Sequence, residues 1–544
     1  MLNYVWLGLL ILGIAAAVTT DVIDQSNNKY RNGDPFNVTV KFDREYDATK
    51  SGVYDATIIS GPQTFSKFYH VEQSDSIFQK ARITTNVEDN VARLYMKIDD
   101  STPEIWKEMA GVSGKTDDLL GNVKITNVTG ATTAKASLTF EEITFRMMKE
   151  VTNSALDYAG IAVDIAIGLI GIMALWLGVM KVAEEAGLIK IIARVVRPIT
   201  KFLFPDVPHD HPAMGSMIMN ISANMLGLGN AATPFGLKAM EELEELNPDK
   251  GTATNTMCTF LAVNTAGLTL IPVTAIAIRA AAGSSNPAII IGTSIFGASC
   301  ATVVGITAAK IFEKFPIKKG EWGSWLNSNL KGFLIFLGII ALIALFTFTG
   351  LFSAIFSNLS FISAEGLKTF INVISIIAIP ALIFIFIGYG AIKGVKVYET
   401  FVEGAKGGFD IAIKIIPYLV AMLVAIGIFR AGGGMEILSS GIAPLTNLIG
   451  MPPEALPMAL MRPLSGSGSL GIMAEIMSVH GPDSPIGILV STFYGSTETT
   501  FYVLAVYFGS VNIKKTRHAL PAGLLADVAG ILGAVFIVRL LFGG

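Results

Sequence analysis

Asn220-Ile221-Ser222-Ala223-Asn224-Met225-Leu226-Gly227-Leu228-Gly229-Asn230 is a polar, glycine-rich stretch set in greasy sequence, and Asn264-Thr265-Ala266-Gly267-Leu268-Thr269 follows it. A second pair, Ser465-Gly466-Ser467-Gly468-Ser469 and Ser496-Thr497-Glu498-Thr499-Thr500, lies in equally apolar surroundings in the C-terminal half. A helix interrupted at bilayer depth leaves N–H and C=O groups that hydrocarbon cannot satisfy, so breaks persist only where protein or a polar cavity surrounds them. Breaks at matching places in two halves of a chain point to a transporter's binding site. The four stretches therefore predict a membrane carrier or gate.

Composition agrees with that setting. Of 544 residues, 52% are hydrophobic and only 15% charged, against about 25% charged in soluble proteins. Apolar runs of spanning length, roughly 17–25 residues, lie near Leu2–Val18, Gly160–Val182, Ala288–Ile311, Phe333–Phe352, Phe370–Ile392, Ile411–Phe429 and Ala519–Leu541. Further apolar pieces at 214–228, 253–280, 455–478 and 485–508 are broken by glycine, proline or polar clusters. The lipid bilayer is thus the first partner. A net charge of −3 without a basic block gives no reason to expect nucleic acid. Cys258 and Cys300 fall far apart in apolar segments and read as packing residues. Nothing has zinc-ligand spacing, so no metal site is expected. His209-Asp210-His211, in a proline-bounded loop, reads as a turn. The first apolar run resembles a signal peptide but lacks a basic n-region, so a retained helix is expected.

From Asp21 to Lys149 the character changes. Phe36-Asn37-Val38-Thr39-Val40-Lys41-Phe42, Ala92–Ile98 and Lys135–Phe140 alternate apolar and polar residues between Gly and Asp/Asn turns. That is the pattern of a small, mostly β insertion with one face buried. Positive charge orients the chain. Lys181, Lys190, Arg194, Arg197 and Lys201, then Lys310, Lys314, Lys318, Lys319 and Lys331, then Lys393, Lys396 and Lys406, then Lys514, Lys515 and Arg517 flank the apolar runs. Placing all of them in the cytoplasm puts the N-terminus inside and residues 21–149 outside.

Under this topology Trp176–Lys181 matches Ala425–Arg430, and Pro198-Ile199-Thr200 matches Pro444-Leu445-Thr446, but the two segments enter from opposite sides. The expected fold is a mainly α, polytopic membrane protein of two inverted repeats with broken, re-entrant helices, plus the extracytoplasmic β-rich insertion. Its parts are a first transmembrane helix at 1–20, the insertion at 21–149, repeat 1 at 150–320, linking helices at 321–400 and repeat 2 at 401–544.

Half-helix N-termini offer free N–H groups to an anion or to carbonyl oxygens. Asn, Ser and Thr offer donors and acceptors together, suiting a neutral polar solute such as a sugar, a base or a zwitterion. The substrate- and ion-binding candidates are Asn220, Ser222, Asn224, Asn230, Asn264, Thr265 and Thr269 in the first half. In the second they are Ser465, Ser467, Ser469, Ser496, Thr497, Glu498, Thr499 and Thr500. The bland alternative is that they only cap broken helices and glue neighbours together, as small and hydroxyl residues do. Glu498 is the sharpest of them. An intramembrane acid is a functional hypothesis by default, and buried among hydroxyls it would carry H+ or hold Na+ as coupling ion. Asp164, Glu475 and Asp527 are weaker versions: Glu475 either gates or faces water, and Asp527 pairs with a neighbour.

Residues 220–242, with Phe204-Pro205-Asp206-Val207-Pro208 and Leu268-Thr269-Leu270-Ile271-Pro272, resemble spore maturation protein A. Residues 404–538 resemble spore maturation protein B, notably in Arg462-Pro463-Leu464-Ser465-Gly466-Ser467-Gly468 and Gly495-Ser496-Thr497-Glu498-Thr499-Thr500-Phe501-Tyr502. The chain looks like a fusion of the two, each half holding a nucleoside-recognition or gate domain that is similar to the gate of ferrous-iron transporter B and, more distantly, to concentrative nucleoside transporters. The resemblance implies a polytopic bacterial inner-membrane protein of transporter type. The insertion departs from the short connection expected in the A-type protein and suggests an envelope partner.

Two functions follow as expectations. One is a secondary, ion-coupled carrier of a small polar solute, nucleoside-like in chemistry, with alternating access between the repeats. The other is a non-transporting scaffold or sensor of the envelope that acts through the insertion. Either is compatible with a homo-oligomer. Catalysis is not expected: there is no His-Glu-x-x-His, no phosphate-binding loop, and Gly466-Ser467-Gly468 lacks a nearby histidine and a strand context.

Overall fold

Alternation decides the N-terminal part of the computed structural model, which describes residues 2–86, 92–113, 118–227, 229–314, 338 and 364–543. In β1 (Phe36–Phe42) every second side chain, from Phe36 to Phe42, is buried. The same period runs through β2 (Gly52–Ser60), β3 (Ile77–Thr85) and β4 (Ala92–Lys97). With β5 (Asp118–Gly130) and β6 (Thr133–Phe140) they form a closed antiparallel barrel, in which β1 pairs with β2 on one side and β6 on the other. Val40 accordingly faces both Ile58 and Ala134 across the ladder. The expectation of a β-rich segment holds, and closure is the added finding.

Three helices accompany the barrel: α1 (Leu2–Ser26), α2 (Pro62–Tyr69) and α3 (Glu104–Ser113). Phe65 and Tyr69 of α2 and Trp106 and Met109 of α3 share the apolar core with the strand residues. Trp106 donates its indole N–H to the Tyr69 hydroxyl at 3.0 Å, so a buried polar atom is satisfied inside the aromatic cluster. The chain divides into two compact units, and this barrel belongs to the one made of Val5–Tyr158 and Val424–Ile437. In the same unit Asp21 of α1 accepts the N–H groups of Met147 and Met148 at 2.8 and 2.9 Å, capping the start of the next helix.

That helix, α4 (Arg146–Glu185), has 40 residues, about 60 Å at 1.5 Å per residue. It contains the apolar run Gly160–Val182 and extends beyond it at the N-terminal end. Gly187, at φ +81°, ends the turn before α5 (Leu188–Leu203). Then follow α6 (Pro212–Met225), α7 (Gly229–Glu245), α8 (Asn255–Ala266), α9 (Val273–Ala281) and α10 (Ile290–Phe312). After the undescribed stretch come α11 (Ala364–Ile392), α12 (Val397–Ala431), α13 (Gly434–Leu448), α14 (Leu456–Met461), α15 (Gly466–His480), α16 (Pro485–Ser496), α17 (Thr500–Ser510) and α18 (Ala519–Phe542). The run expected near Phe333–Phe352 lies outside the described residues.

Among the described residues six helices are long and apolar enough to cross a membrane: Trp6–Ser26, Arg146–Glu185, Pro287–Phe312, Asn372–Ile392, Val397–Ala431 and Ala519–Phe542. The molecule is a multi-pass membrane protein. Each of the four interrupted apolar pieces breaks, at 226–227, 267–272, 462–465 and 497–499. The breaks are narrower than the polar stretches suggested. Asn220, Ser222 and Asn224 sit on continuous α6, and residues 466–469 form the first turn of α15.

Close helix packing surrounds these breaks. A Cβ on Gly297 of α10 would stand 2.3 Å from the Ser496 hydroxyl, and one on Gly530 of α18 would stand 2.5 Å from Thr497 Cγ2. Small residues thus let backbones approach where apolar solvent supplies no hydrophobic drive.

Candidate binding site

The site begins at the end of α8. Ala266 closes that helix and Gly267 follows at φ +55°, a left-handed conformation that glycine adopts without penalty. A Cβ on Gly267 would lie 2.8 Å from Glu498 Cγ and 3.1 Å from the Glu498 nitrogen. The Glu498 N–H donates to the Thr265 carbonyl at 2.8 Å, so the break after α8 and the break between α16 and α17 join through their backbones.

The other two breaks close on the same place. Leu270 donates its N–H to the Met225 carbonyl at 2.8 Å, and Gly227, at φ +78°, lies against the Ile271 carbonyl. Phe501 donates to the Pro463 carbonyl at 3.1 Å. All four interruptions therefore meet, each supplying backbone partners that lipid could not.

Arg462, buried at the end of α14, holds the second half of this junction. Its guanidinium donates to the Thr497 carbonyl and, at 3.3 Å, to the Thr499 hydroxyl. It stands 3.7 Å from the Glu498 carboxylate and lies over the Tyr494 ring at 4.3 Å. The Glu498 side chain is 50% exposed, which corrects the expectation of an acid enclosed by hydroxyls. Its backbone is locked and its carboxylate is open.

The first half contributes an amide network. Asn264 Oδ1 accepts from Asn224 Nδ2 at 2.9 Å and from the Tyr507 hydroxyl at 3.3 Å, and Asn264 Nδ2 donates to the Phe260 carbonyl at 2.9 Å. Asn220 Nδ2 donates to the Tyr507 hydroxyl at 3.1 Å and to the Ala232 carbonyl at 2.9 Å. One tyrosine from α17 thus ties α6 to α8.

Several candidates are occupied locally. Ser222, Ser469 and Ser496 donate to the carbonyl four residues back, each at 2.6 Å. Ser465 caps α15 by accepting the Gly468 N–H at 3.0 Å and sits 3.4 Å from the Ser467 hydroxyl. Thr269 donates to the Gly267 carbonyl at 3.0 Å. Thr500 donates to Asp527. The hydroxyls of Thr265 and Thr497 are buried without a partner. The Asn230 side chain lies outside what the structure describes. Asn224, Thr269, Ser465 and Ser467 are partly exposed and Glu498 is exposed.

Among the weaker acids, Glu475 is fully buried in α15, which corrects the reading that it faces water. Asp164 is exposed on α4, and Asp527 is buried on α18 beside Thr500. His211 caps α6, its Nδ1 accepting the Ala213 N–H at 3.3 Å. Both cysteines are free. Arg462 and Tyr507 were missing from the candidate residues. An arginine in an apolar segment was the available signal for the first, and nothing local marks the second.

A family model described as Gate, nucleoside recognition, matches residues 166–282 and 412–514. The chain is 51% identical over 173 residues to spore maturation protein B of Bacillus subtilis (strain 168), covering 32% of this chain and 97% of that protein. It is 44% identical over 189 residues to spore maturation protein A of the same organism, covering 34% of this chain and 96% of that protein.

Proposed function

Because the chain belongs to the spore maturation protein A and B family, with counterparts of both in one polypeptide and a nucleoside-recognition Gate domain, we propose that it is a secondary carrier of a small polar solute. The Gate description favours a nucleoside-like molecule, whose ring nitrogens, carbonyls and hydroxyls match Asn224, Thr269, Ser465, Ser467 and Glu498. The observation that carries the reading is the meeting of the breaks at Thr265 and Glu498. Discontinuous helices joined at one locus, with an open carboxylate beside them, are what a membrane carrier needs to hold a polar cargo.

In this reading residues 150–320 and 401–544 are inverted repeats that rock against one another, with 321–400 linking them. The N-terminus lies in the cytoplasm of a bacterial inner membrane and residues 21–149 lie outside. An H+ or Na+ gradient supplies the drive.

The test is solute-dependent H+ or Na+ flux in proteoliposomes. The Glu498→Gln and Asn264→Ala variants lose flux while remaining folded. If cellular function survives both changes and fails on deleting residues 25–145, the scaffold reading replaces the carrier.

A further inference from the structure

Gly523, Asp527 and Gly530 fall at i, i+4 and i+7 of α18, on one stripe of the helix. The two glycines are where the junction presses on that helix. A Cβ on Gly523 would lie 2.9 Å from Thr500 Cγ2 and 3.4 Å from the Thr265 hydroxyl, and one on Gly530 would lie 2.5 Å from Thr497 Cγ2. Asp527 therefore sits between Thr265 and Thr500 on one side and Thr497 on the other.

Asp527 is 1% exposed. One carboxylate oxygen accepts the Thr500 hydroxyl and the other, Oδ1, has no partner. The hydroxyls of Thr265 and Thr497 are likewise buried and unpartnered. Each such atom is costly if nothing satisfies it, so one carboxylate oxygen and two hydroxyls left unpaired against the same stretch of α18 call for a ligand. Valine would fill the threonine volumes without that cost. A proton on Oδ1 would neutralise the acid but leave both hydroxyl oxygens unpaired. A small cation lodged among these groups would supply the missing partner, because carboxylate and hydroxyl oxygens are hard ligands suited to hard cations. The Arg462 guanidinium nearby is answered by Glu498 at 3.7 Å, which leaves the Asp527 carboxylate to balance one positive charge, whereas a divalent ion would leave a buried charge uncompensated.

We propose that Asp527, Thr500, Thr265 and Thr497 form a buried site for a monovalent alkali cation, Na+ by size and ligand chemistry. Thr265 lies in the last turn of α8 and Thr497 in the break after α16, the two elements joined by the Glu498–Thr265 backbone bond, so the ion clamps that junction shut. The clamp's role as the coupling step rests on the carrier reading, but ion binding does not.

The test uses the full chain in detergent or nanodiscs without solute. Thermal unfolding is compared in NaCl and in N-methyl-D-glucamine chloride at equal ionic strength. Na+ raises the transition in a saturable way, as a ligand of the folded state must, and radioactive 22Na+ binds the wild-type protein. Asp527→Asn raises the half-saturating Na+ at least about tenfold, and Thr265→Val and Thr497→Val raise it about threefold or more. A wild-type protein indifferent to Na+, or an Asp527→Asn variant that keeps the response, overturns the site. If Asp527→Asn fails to fold, the two valine variants and the 22Na+ measurement decide. Na+ binding without any solute flux sinks the carrier reading and keeps this site, and flux without Na+ binding does the reverse.

Discussion

The amide of Glu498 donates to the carbonyl of Thr265 at 2.8 Å, across 233 residues of chain. The bond joins the last turn of α8 to the break between α16 and α17, and the Thr265 carbonyl that accepts it lies at the helix end, where no N–H of its own helix follows.

Gly267 permits that bond. Gly267→Ala adds a Cβ at positive φ and 2.8 Å from Glu498 Cγ, so it destabilises the folded protein by about 1–3 kcal/mol. Gly215→Ala, on α6 with nothing within 4 Å of the new Cβ, raises stability by up to about 1 kcal/mol through helix propensity. Thermal unfolding of both variants in the same detergent measures the difference.

Arg462 and Glu498 should behave unequally although they face each other at 3.7 Å. Arg462→Met leaves the buried Thr497 carbonyl without its guanidinium donor and costs about 2–3 kcal/mol. Arg462→Lys does not restore it, since an ammonium cannot fork across a carbonyl and a hydroxyl. Glu498→Gln, at a half-exposed carboxylate, costs under about 1 kcal/mol while stopping flux. Equal loss of stability from Arg462→Met and Glu498→Gln would disprove the division between a locking cation and an open anion.

Tyr507→Phe removes the hydroxyl that links Asn220 to Asn264. Asn220 keeps the Ala232 carbonyl and Asn264 keeps Asn224, so the cost is about 1 kcal/mol. Asn264→Leu strands partners on two helices and costs about 2–3 kcal/mol. Chemical denaturation of the two variants orders them.

At the edge of the barrel unit, Tyr30 accepts from Arg146 at 2.9 Å and donates to Glu108 at 3.1 Å. Burial pushes its phenol from 10.0 up to about 12, partly opposed by the Arg146 and Lys29 charges. A raised folded pKa means that the stabilisation is complete below pH 10 and is lost as pH rises through about 12. Tyr30→Phe flattens the stability profile in that window, as pH-dependent unfolding of the barrel unit will read.

Local pattern carried the sequence reading as far as local pattern reaches. Phe36 to Phe42 announce a half-buried strand because the side-chain period is two. Barrel closure needs β1 to find β6 about a hundred residues later, and no window along the chain contains that pairing. Glycine or proline marked three of the four helix breaks and the Thr497-Glu498-Thr499 cluster the fourth, yet Ser222, Ser469 and Ser496 satisfy themselves on their own helices. Their polarity resembled a lining because back-bonded and substrate-facing hydroxyls are the same letters. Arg462 and Tyr507 gain meaning only from partners brought in by the fold.

The barrel's closure restricts how residues 36–140 can meet anything else. Each of its six strands already has a neighbour on both sides, so no free rim offers main-chain N–H and C=O groups to an incoming extended peptide. Recognition by this unit would have to run through side chains on its outer wall or in its loops, where charged pairs such as Arg82–Asp55 stand in solvent. Edge-to-edge pairing with a second copy, the common hazard of small β folds, is closed to it for the same reason.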